Sequence, residues 1–299
     1  MTTTQPHQDQ INDQDTLWEI PDELWIRLAP VLVIDKPRKK SGRPARDARS
    51  IFNGLIWLAR TGSQWSQLPR RYGPKSTVHE RFCAWVEHEC LRAAWAIVLD
   101  EYDQELGIDW EWQAADGSMV KAPLGKRGGP GAAEATGSNP TDRGKAGCKR
   151  TLLTDAKGIP LSVVLCGANR HDSKMLMDVL DAVVVAVPPP GEEEQRHLLL
   201  DRGYDTPACR QLAVDEGLVA HIPKKATEED PIPAPGDPKR HPPRRWVVEV
   251  GHSWFNRFRR IQTRWDKRQD LYLGFVELTA CLIIWRKLAP VAPVRLFSG

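Results

Sequence analysis

Beyond Ile108 the chain alternates short apolar runs with helical periods, and this alternation limits the fold more than any other feature. Residues 108–116 alternate in polarity and are rich in Trp, the pattern of a strand ending at Asp116-Gly117. Residues 149–154 and 160–165, split by Asp155-Ala156-Lys157-Gly158, read as a hairpin. A helix over 173–187 carries Leu176, Val179, Leu180 and Val183 on one face. The run 197–200 is a short strand that stops at Asp201-Arg202-Gly203, and 207–216 is a helix with Pro207 in its first turn. A strand over 218–222 and a closing helix over 270–288 follow. The order predicts a mixed α/β sheet covered by helices.

The first hundred residues have a different texture. Residues 1–15 are polar and lack aromatics, so they read as a disordered tail. Pro21, Asp22 and Glu23 mark a helix start, with Leu24, Trp25, Leu28 and Leu32 as its apolar face. Residues 36–46 form a basic Gly/Pro linker, and Asp47 caps a second helix with Ile51, Leu55 and Leu58 inward. A third helix opens at Ser76-Thr77 and carries Val78, Phe82 and Trp85; a fourth carries Trp95, Ile97 and Leu99. Such helices, with a tight turn and a basic loop, suit a helix-turn-helix-like DNA-binding module, and a plain helical bundle fits the periodicity equally well. The expected division is a tail over 1–15, a helical domain over 16–105, a sheet domain over 106–290 and a tail over 291–299.

Composition decides less than its distribution. With 41% apolar and 27% charged residues the 299-residue chain is an ordinary globular one, and its net charge is only +3. The basic residues are concentrated, however. Residues 239–268 hold ten Lys or Arg against Glu249 and Asp266, and residues 35–49 hold seven against two Asp. Two basic blocks far apart in sequence point to a polyanion touched at two places, or else to two solvated segments. The six cysteines show no CxxC spacing, as for reduced buried thiols rather than a zinc site. No apolar run is long enough to span a bilayer, and the N-terminus has no signal core. A cytoplasmic protein associated with the nucleoid is the expectation.

The stretch 246–268 contains no Gly or Pro after Gly251 and reads as one amphipathic helix. Trp254, Phe258, Ile261 and Trp265 recur at helical spacing, and Arg257, Arg260, Arg264 and Lys267 follow a second stripe beside them. Glu249 stands near its start among three valines. A solvated acid favoured by the helix dipole is one reading. A metal-ligand carboxylate beside a track for backbone phosphates is the other. A lone Asp after a strand is usually a turn or cap. Asp116 and Asp201 both end strands, though, and ligands of open α/β sheets bind beyond the carboxyl ends of strands. If the two strands are neighbours, the acids repel unless a cation lies between them, and all-oxygen ligands suit a hard ion such as Mg²⁺.

At these residues the chain resembles a known family. Ala115-Asp116-Gly117-Ser118, Leu199-Leu200-Asp201-Arg202-Gly203-Tyr204-Asp205 and Arg245-Trp246-Val247-Val248-Glu249 are similar to the three acid motifs of DDE transposases of bacterial insertion sequences, specifically the insertion-sequence-five group. Gly42-Arg43-Pro44, Asn53-Gly54, Arg60-Thr61-Gly62, Leu68-Pro69, Ser76-Thr77-Val78 and the run 139–145 match as well, so the resemblance covers roughly residues 17–288. It implies a ribonuclease-H-like sheet with Asp116, Asp201 and Glu249 as catalytic metal ligands for Mg²⁺, with Mn²⁺ able to substitute. It implies cleavage at element ends and transfer of the 3′-OH into target DNA by a chain that binds double-stranded DNA as a homodimer. Phosphate contacts would come from Lys39, Lys40, Arg43 and Arg46 in the basic loop, from Lys145, Lys149 and Arg202, and from Arg245, Arg257, Arg260 and Arg264. Two positions depart from the family's pattern. Val250 stands where the group usually has a basic residue, and Asn256 stands where it has Lys, with Arg257 one step on. A non-catalytic DNA-binding regulator and a ribonuclease-H-like nuclease without strand transfer are the competing functions.

Overall fold

Leu24, Leu28 and Leu32 recur at a four-residue period, and Asp22 and Glu23 favour the first turn of a helix. They define α1, Asp22–Leu32, which buries all three leucines. The computed structural model describes residues 19–34, 45–125, 135–189, 194–223 and 246–288. Lys39, Lys40, Arg43, Arg245 and the two expected tails lie outside them. Helix α2, Ala48–Thr61, starts where the Asp47 carboxylate accepts the Ser50 amide at 2.8 Å. It ends at Gly62, whose φ of 68° and closeness to Arg259 leave no room for a side chain. The chain then makes two 3₁₀ turns, Trp65–Gln67 and Arg70–Tyr72, before α3, Lys75–Glu87. The tight turn lies instead between α3 and α4, Cys90–Leu106, which only His88 and Glu89 separate.

The sheet is built around β1, Trp112–Lys121. It pairs antiparallel with β3, Ala146–Asp155, and parallel with β5, Arg196–Leu199. β4, Pro160–Gly167, lies antiparallel on β3, and β6, Leu218–His221, lies parallel on β5. The short β2, Gly137–Ser138, adds to the start of β3. The main strands therefore run β4-β3-β1-β5-β6, an antiparallel meander continued by two parallel strands. This is the ribonuclease-H-like arrangement, mixed and flanked by helices. Helix α6, Pro207–Asp215, packs on β6.

Three expected boundaries change for physical reasons. β1 continues five residues past Asp116, because β3 supplies ladder partners as far as Lys121↔Gly147. Gly117 sits inside this strand because the Asp172 carboxylate presses on it: a Cβ there would meet Oδ1 at 2.3 Å. The helix expected over 173–187 shrinks to α5, Leu176–Asp181. The run Val183-Val184-Val185 is poor in helix propensity, and the Val184 amide bonds the Leu161 carbonyl of β4 instead. Finally, 246–268 is not one helix. α7, Trp246–Phe255, is followed by the short α8, Arg259–Gln262, and then by extended chain in which Thr263 bridges to Lys121. The reorientation lets Phe258 and Ile261 join the core, which outweighs an unbroken helical ladder.

The long α9, Gln269–Leu288, is buried along almost its whole length, between α4 on one side and β4 on the other. Helices and sheet thereby share one apolar core. Among the described residues no helix is long and apolar enough to cross a membrane.

Candidate active site

Strand register places the first two acids. In the parallel pair β1–β5, Trp112, Gln113 and Ala114 stand level with His197, Leu198 and Leu199. Two residues beyond the last pair, on both chains, are Asp116 and Asp201. Side chains two apart share a face of a sheet, and neighbouring strands lie about 4.8 Å apart. Asp116 and Asp201 therefore emerge side by side from one face. Asp201 is also anchored locally, accepting the Gly203 amide at 2.8 Å in the 3₁₀ turn Arg202–Tyr204.

Helix α7 lies across this same face. The antiparallel register sets Leu152 opposite Asp116 and Arg150 opposite Ser118, so Leu152, Arg150 and Asp116 point to one side. Gly251 of α7 rests on that side, its Cβ position 3.0 Å from Leu152 Cδ2 and from Thr154 Cγ2. The contact holds α7 close enough for Val247, Val248, His252 and Phe255 to be buried, while Glu249 stays exposed at the start of the helix. His252, one turn on, faces the Asp116 carbonyl. Neither of its ring nitrogens makes a well-formed hydrogen bond. Among the described residues no three His, Cys, Asp or Glu side chains converge into a ready-made metal cage. The fold gathers Asp116 and Asp201 and hangs Glu249 on the helix that covers their face.

One residue of the second acid motif, given no role by the sequence, stands near the acids. Tyr204 is wholly buried and its hydroxyl makes no hydrogen bond in the structure. Burial foremost, then the charges of Asp172, Asp116 and Asp201, push its phenol far above the usual tyrosine range. It stays protonated, and three carboxylates lie within electrostatic range of it. The third, Asp172, is ion-paired with Lys149 at 2.9 Å. Such a donor set is all hard oxygen, the chemistry that suits a divalent cation of the Mg²⁺ or Mn²⁺ kind rather than a soft metal.

The expected phosphate contacts divide sharply. Lys145, Arg202 and Arg257 are exposed. Arg46 is exposed but donates to Ser50 Oγ and the Arg71 carbonyl. Lys149, Arg260 and Arg264 are corrections, because all three are buried. Lys149 Nζ is used by Asp172 and the Arg170 carbonyl. Arg260 pairs with Asp266 at 2.6 Å between the rings of Trp65 and Phe275. Arg264 donates to the carbonyls of Ala135, Asp266 and Lys267 and to Thr136 Oγ1. A buried cation spent on internal acceptors cannot reach a phosphate.

His252 makes a pH prediction. Burial foremost, then the adjacent Arg150 charge, lower its pKa from 6.5 to about 3. The folded state thus refuses a proton that the unfolded chain accepts, so stability present above pH 6.5 is lost as pH falls toward 3. Each unit in that window costs up to about 1.4 kcal/mol. Chemical denaturation of His252→Leu should show a flatter stability profile between pH 6.5 and 5 than the parent; parallel profiles would contradict the assignment.

Comparison with known proteins identifies the family. The sequence family described as "Transposase DDE domain" matches residues 113–284, more than half of the chain. The family described as "Putative transposase of IS4/5 family" matches residues 20–95. The chain is 39% identical over 155 residues to a "Putative transposase for insertion sequence element IS402" of Burkholderia cepacia, covering 51% of this chain and 70% of that protein. It is 33% identical over 114 residues to an "Insertion element IS402 uncharacterized 16.2 kDa protein" of the same organism, covering 34% and 73%. Among solved structures the Mos1 strand transfer complex aligns over 85% of this chain and 81% of that one, at 14% identity and a TM-score of 0.24, too loosely to compare in detail. With a DDE domain matched across the sheet that carries both aspartates and a transposase related over most of its length, the chain belongs to the DDE transposases of insertion sequences and is a DNA transposase, an enzyme of a divalent-metal family.

Proposed function

We propose that Asp116, Asp201 and Glu249 form the catalytic centre of a Mg²⁺-dependent reaction that cuts phosphodiesters at the element's ends and transfers the freed 3′-OH into target DNA. The observation that carries this reading is the shared register of β1 and β5, which makes neighbours of two acids 85 positions apart in sequence. Asp116 and Asp201 hold the cation from the sheet, and Glu249 completes coordination from α7. Divalent ions bound by such carboxylates supply a deprotonated attacking oxygen and stabilise the leaving one. Mn²⁺ would substitute for Mg²⁺, since both take oxygen ligands in octahedral geometry.

The protein's own groups do the rest. Tyr204, kept neutral, fills the buried space near the acids without adding a charge of its own. The Lys149–Asp172 pair stiffens the strand behind Gly117. Exposed Lys145, Arg202 and Arg257 neutralise backbone phosphates, contacts that give affinity and register rather than sequence choice. The N-terminal helices and the basic loop that follows α1, with Lys39, Lys40, Arg43 and Arg46, recognise the terminal inverted repeats, and two copies of the chain bring two ends together.

The test incubates purified protein with duplexes carrying the element's ends, with and without Mg²⁺ or Mn²⁺. End-specific nicks followed by joined products support the reading. Nicks without joining would reduce it to a nuclease, and metal-independent binding without nicks to a regulator. Glu249→Gln should lower cleavage by about 10²-fold or more, roughly 3 kcal/mol of transition-state stabilisation, while the exposed position keeps the protein folded. Wild-type rates in that variant would remove Glu249 from the centre.

A further inference from the structure

Four cations meet where three helices end. Arg60 closes the last turn of α2, Arg286 and Lys287 close the last turn of α9, and Arg257 follows α7. Two of them rest on rings of α7 and the turn after it: Lys287 Nζ lies 4.0 Å from the Trp254 ring centre, and the Arg60 guanidinium lies 5.8 Å from that of Phe258. Burial and then the neighbouring Arg286 lower Arg60 to about 10, and burial and then Arg257 lower Arg286. The ion pairs of the described residues all lie elsewhere and use none of the four. A helix dipole favours a cation at its C-terminus by about 0.3–1 kcal/mol, which accounts for Arg60, Arg286 and Lys287 one at a time. It does not account for their gathering with Arg257 and without an ion-paired carboxylate among the described residues. Like charges held that close raise the free energy of the free protein and lower it once an anion arrives.

The cluster is connected to the acid centre. Glu249, Ser253, Asn256 and Arg257 are all exposed, and their spacing of four, seven and eight residues puts them along one side of α7 and the turn after it. Eight residues of helix span about 12 Å, the rise of three to four base pairs at 3.4 Å each. We propose that this cluster grips the phosphodiester backbone of duplex DNA a few base pairs from the strand held at Asp116 and Asp201. The grip rests on the transposase reading and adds Arg60, Arg286 and Lys287 to its DNA contacts. The duplex is either the element's own end or the target; the chemistry of recognition is the same.

The test is a salt titration of binding by the full chain, with Ca²⁺ replacing Mg²⁺, on two duplexes: one with the element's end and one of unrelated sequence. In Arg286→Gln/Lys287→Gln, two exposed positions, the slope of log affinity against log salt should fall by about 0.9 for each phosphate that is no longer neutralised. Arg210→Gln, which removes a cation already paired with Asp205, should leave the slope unchanged. A fall on the end duplex alone assigns the cluster to the element's flank; a fall on the unrelated duplex alone assigns it to the target; a fall on both supports a grip on either. Equal slopes for the double variant and the parent on both duplexes overturn the proposal. Cleavage assays on the same preparations separate that failure from failure of the transposase reading, because the parent would still cut and join DNA with Mg²⁺.

Discussion

Asp116→Asn and Asp201→Asn should each lower end cleavage by at least about 10³-fold, a loss of some 4 kcal/mol of transition-state stabilisation, while duplex binding persists. The substitution keeps shape and removes a charge, so what is lost is the capacity to hold a divalent cation rather than the fold. The electrostatics sharpen the test. Asp116, Asp201 and Asp172 all lie within electrostatic range of the buried phenol of Tyr204, so removing one negative charge from that region should add no repulsion. Melting temperature without metal should therefore hold or rise in either variant, whereas a variant inactive through misfolding would melt lower. Addition of Mg²⁺ should raise the parent's melting temperature by ligand linkage and move the variants' less. Residual cleavage within about tenfold of the parent, about 1.4 kcal/mol, would show that the aspartates are structural.

Much of this site was legible in the sequence, for a definite reason. A strand of four or five apolar residues that stops at an acid is short enough for its end to be read directly, as at Leu200-Asp201. β1 was less legible because its end depends on β3, a partner recruited from about thirty residues away, and so Asp116 lies within the strand rather than at its tip. Helical period alone carried 246–268 through Asn256 as one helix. The break there has no Gly or Pro to announce it and follows from where Phe258 and Ile261 find a core. The same limit explains the misread arginines. Charge spacing cannot separate a solvated cation from one that is buried among carbonyls, so Arg257 and Arg264 look alike in sequence and differ completely in surroundings. Tyr204 had no readable role, since its setting exists only once β1 and the loops 171–175 and 201–206 pack together.

The two arginines can be separated by experiment. Arg264→Met should destabilise the protein by about 3 kcal/mol or more, because it strips several hydrogen bonds from mostly buried acceptors, each worth about 1–3 kcal/mol when left unsatisfied. Those acceptors are the carbonyls of Ala135, Asp266 and Lys267 and the Thr136 hydroxyl, so one guanidinium stitches the chain before β2 to the segment that leads into α9. Lys should rescue little, since one ammonium cannot serve a fork of acceptors on two sides. For a chain this large the loss corresponds to a fall of roughly 5 °C in melting temperature. Arg257→Gln should do the reverse, leaving melting unchanged and weakening DNA binding in a salt-dependent way, as expected for an exposed phosphate contact. If Arg264→Met melted like the parent and lost DNA affinity instead, the buried network would be wrong, and the basic stripe over 257–267 would stand as a continuous track for DNA.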